Sequence, residues 1–460
     1  MPESASPAQS PSPVREWSAV QLPDGLKALP RMLSEDEQRY LIWLTAKKYQ
    51  GWGAVVDLGC WLGSSTACLA EGLERSGKAG VVQSFDLFRW VCSYMERDSD
   101  LRMPDGSDFM PEFLRLTSPW AKRVRAQQAD LFAYQWTGGP IEILFVDAAK
   151  NYALTNAILR NFASVIVPGR TRVIFQDFRY PETHWLPLVT GSRPDLWEEI
   201  ENTANGYTST WIAKKAIHGP GGIEGDYGPE SFDYATAARI FAERERVDPA
   251  GRSYYVQTQL RMALLCGEDD DVAKARARVD ALQCPKHERL PNWLLENVGS
   301  DLVPSAWNAI AKGRPERAVM LARRCLRASC PAPYALGPLG FGLSMLGRHE
   351  EAEQALQEMR RQLPGRYEPL LCLADVTSGR GRAPFALELL TTALPQIPAT
   401  STDGDYAFAL LERIAGQPGF TIAAHQLAKT AAPSLLARPK VREHLAHIEA
   451  KAMHQGGASA

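Results

Sequence analysis

The sequence predicts an α/β domain followed by an all-α helical repeat domain. Three observations carry this: short apolar runs alternate with amphipathic stretches up to about residue 217, a glycine-bearing strand-to-helix turn lies at residues 54–66, and Gly313, Gly347 and Gly381 recur every 34 residues.

A chain of 460 residues exceeds what one hydrophobic core usually serves, so two domains are expected. With 45% hydrophobic and 23% charged residues the composition is that of a globular protein, and no apolar run reaches the roughly 20 residues of a membrane-spanning helix. The formal net charge of -2 argues against a broadly basic nucleic-acid binder. Neither a membrane nor a nucleic-acid partner is therefore expected. The eight cysteines form no C-x-x-C pair and read as reduced thiols. Residues 1–14, rich in Ser, Pro and Ala without a basic start or apolar stretch, read as a disordered tail rather than a secretion signal, which makes cytoplasmic residence the default.

Ser34 with Glu37 three residues later predicts a capping-box start for a helix over 34–48. Strands are expected at Ala54–Leu58, Val81–Phe85, Val124–Ala129, Ile141–Val146 and Arg172–Phe175, with longer amphipathic segments between them, the pattern of a parallel sheet. Residues 207–213 form another β-rich run, expected as an antiparallel edge strand. The Gly-rich segment 218–231 reads as a linker, dividing a domain over 15–217 from one over 232–460.

Beyond residue 231 only helical periodicity remains. Ala318, Ala352 and Ala386 follow the periodic glycines at one offset, and Ala322, Leu356 and Leu390 at another, so about five stacked helical hairpins are expected, with upstream units around Ala237, Phe241 and Gly267. The spacing resembles the tetratricopeptide (TPR) repeat, a resemblance that implies a surface for a protein partner or for self-association. Arg323, Arg324, Arg327, Arg360 and Arg361 read either as a groove for an acidic partner or, more plainly, as a solvated helix face.

The chemistry concentrates in the first half. Residues 54–66 read AVVDLGCWLGSST, a buried strand, then Asp57, Gly59 and Gly63, then a helix from Ser64. Such glycines let backbone approach a ligand, and the helix start offers free N–H groups. A dinucleotide would suit such a turn too, but D-x-G-x-x-x-G differs from G-x-G-x-x-G. Strand-terminal acids follow in order: Asp86, Asp130 and Asp147. One such acid often only caps a helix; three in register after this turn resemble class I S-adenosylmethionine-dependent methyltransferases, with a Rossmann-like fold. The resemblance implies that Asp57, Gly59, Gly63, Ser64, Asp86 and Asp130 hold the cofactor, Asp86 at its ribose and Asp130 at its adenine.

Residues 145–152, FVDAAKNY, look like the signature of catechol and caffeoyl-coenzyme A type O-methyltransferases, and LKALPRMLSEDEQRYL at 26–41 resembles macrocin-type sugar O-methyltransferases. These groups use a divalent cation, which implies Asp147 and Asp177 as ligands to Mg²⁺ or another divalent cation. The match is broken: Ala149 stands in place of an acid, and Phe178 in place of an Asn or Asp, leaving two carboxylates for a hard cation that wants six oxygens. Lys150 and His184 are the candidate bases, and Trp61, Phe178, Tyr180 and Trp185 either line an acceptor pocket or pack the core. The expected activity is O-methylation of a hydroxyl on a sugar or natural-product acceptor, a small-molecule or glycosylated substrate. A repeat-based interaction protein with a weakly active cofactor domain, and a methyltransferase acting on a protein or peptide, stand as alternatives.

Overall fold

Strand β4, Ile141–Val146, is buried at all six positions, which requires cover on both faces of its sheet. The computed structural model describes residues 15–180, 183–203, 207–218, 222–223, 225–228, 231–282, 298–327, 333–398 and 401–457. The tail expected over 1–14, Cys284 and Cys330 lie outside them. The six described cysteines are all free thiols.

Seven strands form one mixed sheet in the order β3-β2-β1-β4-β5-β7-β6. Strands β1 (Ala54–Leu58), β2 (Val82–Asp86), β3 (Val124–Gln128), β4 and β5 (Arg172–Phe175) run parallel. Alternate residues serve opposite faces: Val55, Ile143, Phe145 and Ile174 join a core with Tyr40, Leu41, Cys68 and Leu69 from the covering helices. Glu142 is buried inside β4 because its carboxylate accepts the backbone N–H groups of Gly51 and Trp52, each at 2.9 Å, in the turn that leads into β1. The capping box forms as expected: Ser34 Oγ accepts from Glu37 N–H, and Glu37 Oε2 accepts from Ser34 N–H. Glu37 also accepts from Tyr207 N–H and Thr208 Oγ through its other oxygen, which pins this helix to the loop before β7.

Two expectations need correction. Strand β7 (Ser209–Ala213) is antiparallel as anticipated but is not the edge, because β6 (Trp197–Asn202) pairs outside it. The boundary also falls later than the Gly-rich segment. The chain divides into two compact units, through Arg289 and from Leu290, so the helices Tyr234–Val247, Arg252–Cys266 and Asp269–Asp280 belong to the first. A buried polar network attaches them. Arg244 donates to both Glu199 oxygens on β6, at 2.7 and 3.0 Å, and lies over the Phe178 and Trp211 rings. Asp248 pairs with Arg179 at 2.8 Å and accepts from Tyr255 Oη at 2.7 Å.

The second unit is built of helical hairpins, among them Val298–Ala311 with Pro315–Arg327, Leu336–Met345 with His349–Gln362, and Glu368–Gly379 with Ala383–Ala393. Each turn contains a periodic glycine in the left-handed region, Gly313 at φ 66°, Gly347 at 76° and Gly381 at 73°, where a side chain would be strained. Ala318, Ala352 and Ala386 are fully buried. At the middle crossing a Cβ on Gly340 would stand 2.5 Å from Leu356 Cγ, so only glycine permits that approach. Arg361 and Arg323 pair with Glu358 and Glu351, as residues of a solvated face do. Among the described residues no helix is long and apolar enough to cross a membrane.

Candidate functional site

From β1 the chain steps outward through β2 to β3, then returns to β4 on the other side of β1 and continues to β5. In such a sheet the loops leaving the C-terminal ends of β1 and β4 diverge and open a crevice. A cleft of about 280 Å³ occupies that place, lined by Gly59, Asp86, Asp130, Asp147 and Lys150 among others.

Gly59 at φ 86° allows close backbone contact here: a Cβ would lie 3.1 Å from Ala148 N. Gly63, at φ 92°, precedes the helix Ser64–Ser76, and a Cβ there would stand 2.4 Å from Thr117 Cγ2. Gly63→Ala is expected to destabilise the fold by about 1–3 kcal/mol through combined backbone strain and overpacking, read by denaturant unfolding. A change within experimental error would show that the loop yields easily.

Asp86, at the end of β2, accepts from Trp61 N–H at 2.9 Å and Phe88 N–H at 3.0 Å, so it shapes the loops on both sides of it. Burial raises its pKa, against the pull of those N–H groups. Asp130 is exposed at the cleft and accepts from Phe132 N–H at 2.9 Å. Leu87 and Phe132, one residue past Asp86 and two past Asp130, line the same cleft while 52% and 54% exposed. They were not anticipated; their position one or two residues past a strand-terminal acid was the available signal.

Asp57, Gly63 and Ser64 do not line the cleft. Asp57 is fully buried and accepts from Ser65 Oγ at 2.9 Å and Thr66 Oγ1 at 2.6 Å, tying β1 to the helix. Burial pushes its carboxyl up to about 6, with those hydroxyls opposing. Ser64 Oγ accepts from Gln38 Nε2 at 3.1 Å. Both act on the shape of the glycine loop from behind.

Asp147, Lys150 and Asp177 come together. Lys150 Nζ donates to Asp147 Oδ1 at 2.6 Å and also to Asp177 Oδ2. Burial pushes Asp147 up to about 7, Lys150 opposing and Asp177 adding to the rise. Burial draws the Lys150 pKa down, but its two carboxylate partners outweigh burial and raise it. Two carboxylates on one ammonium favour the charged form of Lys150, which speaks against the base role expected of it. Asp177 has φ 61°, and Trp61 and Phe88 share that left-handed conformation at 42° and 51°. These are the non-glycine residues with positive φ among those described, and each follows β1, β2 or β5 at the same sheet edge, where strain commonly accompanies a functional site.

His184 is buried against the Tyr152 and Trp185 rings and is not brought to the cleft. Phe178 packs in the core on Trp211, whereas Trp61 lines the cleft and Tyr180 meets Tyr207 edge-on. Trp185 Nε1 donates to Ala149 O at 3.1 Å, which holds the segment between Asp147 and Lys150. Among the described residues no three His, Cys, Asp or Glu side chains converge as a metal site.

No protein-family model and no curated protein matches the chain. A solved structure, the flexible tandem repeat domain of a bacterial cellulose synthase component, is similar at 15% identity and a TM-score of 0.24, covering 48% of this chain and 90% of that one. Neither fold nor function follows from a similarity that low.

Proposed function

We propose that the first unit is a Rossmann-like methyltransferase domain that binds S-adenosylmethionine and methylates an acceptor hydroxyl. The observation that supports this most is one cleft at the divergence of β1 and β4 that gathers Gly59, Asp86, Asp130 and Asp147. The residues fit the cofactor. Gly59 leaves backbone rather than side chain at the cleft wall, Asp86 offers carboxylate oxygens to ribose hydroxyls, and Leu87 and Phe132 offer apolar surface to an adenine ring. S-adenosylmethionine, when bound, supplies an electrophilic methyl group.

The protein supplies alignment and a route for the proton. An ammonium has three N–H donors, and Lys150 directs two of them to Asp147 and Asp177. Its third N–H is left to hold the acceptor oxygen where Lys150 borders the cleft. Asp147, pushed up to about 7, is matched to accept the hydroxyl proton near neutral pH. Asp177 keeps Lys150 in place. A sugar or natural-product acceptor rests on the sequence resemblance alone.

Asp86→Ala is expected to weaken S-adenosylmethionine binding by about 1.5–3 kcal/mol, roughly 10- to 150-fold, through loss of charged hydrogen bonds. Calorimetric titration measures this. Unchanged affinity would remove the ribose assignment.

A further inference from the structure

The resemblance that implies a methyltransferase also implies a divalent cation held by Asp147 and Asp177. The side chains present do not suit one. A hard cation such as Mg²⁺ demands near-octahedral oxygen ligation. Beyond the two carboxylates, the neighbouring chain offers Ala149 and the buried ring of Phe178. Gln176 could add one amide oxygen, but the space between Asp147 Oδ1 and Asp177 Oδ2 already belongs to Lys150 Nζ. An ammonium and a dication cannot share those two oxygens.

We propose that Lys150 supplies, as a tethered ammonium, the positive charge that a divalent cation would otherwise provide between Asp147 and Asp177, so that this centre works without a bound cation. The chemical role rests on reading the cleft as a methyl-transfer site; the charge replacement itself does not. Two carboxylates facing one point need a counter-charge. A lysine three residues after Asp147 meets that need within its own loop, held from the other side by Trp185 on Ala149 O. Exchange with a dication would break both Lys150 contacts.

The test uses the full chain and Mn²⁺ alone, with free Mn²⁺ read by electron paramagnetic resonance. Wild type should show no saturable site that Asp177→Asn removes. Lys150→Ala should acquire one, roughly tenfold or more tighter than any residual Mn²⁺ binding to wild type, because the competing charge is gone. Adding Asp177→Asn to Lys150→Ala should abolish it. Thermal unfolding supplies a second readout: Mg²⁺ should raise the midpoint of Lys150→Ala in a chelator-treated sample and leave wild type unmoved. A wild-type Mn²⁺ site lost in Asp177→Asn would overturn the proposal. So would a Lys150→Ala protein that neither takes up Mn²⁺ nor loses stability, since the carboxylates would then need no counter-charge. S-adenosylmethionine affinity, titrated on the same samples, reports separately on the cofactor reading.

Discussion

Arg244→Ala is expected to destabilise the first unit by about 3–5 kcal/mol, the range for removing one partner of a buried ion pair. The Arg244 side chain is 7% exposed and Glu199 17%, so the substitution leaves a largely buried carboxylate on β6 without its cation. It also strips the cation from the faces of Phe178, Trp211 and Tyr255. Denaturant unfolding measures the loss, and a change under about 1 kcal/mol would place the pair among those that contribute little. Truncation extends the argument. A chain ending at Ile217 lacks both Arg244 and Asp248, the ion-pair partners of Glu199 and of the buried Arg179, and should fail to hold its sheet. A chain ending at Leu282 keeps both pairs and should fold. A stable, cooperatively unfolding 15–217 fragment would show that the later helices are dispensable.

That boundary illustrates what a single sequence hides. The helix Tyr234–Val247 has the apolar spacing of a repeat helix, and Ala237 and Phe241 are fully buried. Local periodicity says which face is buried but not against what, and the partner is set by Arg244 reaching Glu199, 45 residues earlier. Strand β6 was missed for the same reason. Its sequence, WEEIEN, carries three glutamates that depress strand propensity, and they are tolerated because Glu198 is exposed, Glu199 is paired with Arg244 and accepts from Ser209 Oγ, and Glu201 meets Arg15. By contrast β4 was plain because its apolar residues, interrupted only by Glu142, end in the run Ile143–Val146 that admits no half-exposed reading, and the turn glycines were plain because left-handed backbone selects them. In the site, each strand-terminal acid could be read singly. What Lys150 does could not, since it depends on the ends of β4 and β5 being neighbours.

Methyl transfer is expected to rise with pH through about 7 and level above it. The sign follows from the proposed role: Asp147 must be ionised to accept the acceptor proton, and burial, aided by the charge of Asp177 and opposed by Lys150, lifts its carboxyl to that range. Below it the carboxyl is protonated and turnover falls. Asp147→Asn cannot accept the proton at any pH, so it should lower turnover by about 10²- to 10⁴-fold, the usual contribution of a positioned general base, and erase the rising limb. Cofactor affinity should change little, because Asp86 and the glycine loop are untouched; that split separates a chemical role from a binding one. Asp177→Asn should act differently. It loosens Lys150 without removing the base, so turnover falls while the rising limb persists. Initial rates across the neutral range, with each variant saturated in cofactor, decide between these outcomes. A flat profile shared by wild type and Asp147→Asn would move proton removal away from Asp147, and a double substitution of Asp147 and Asp177 by Ala that left transfer intact would move the reacting centre off this cluster altogether.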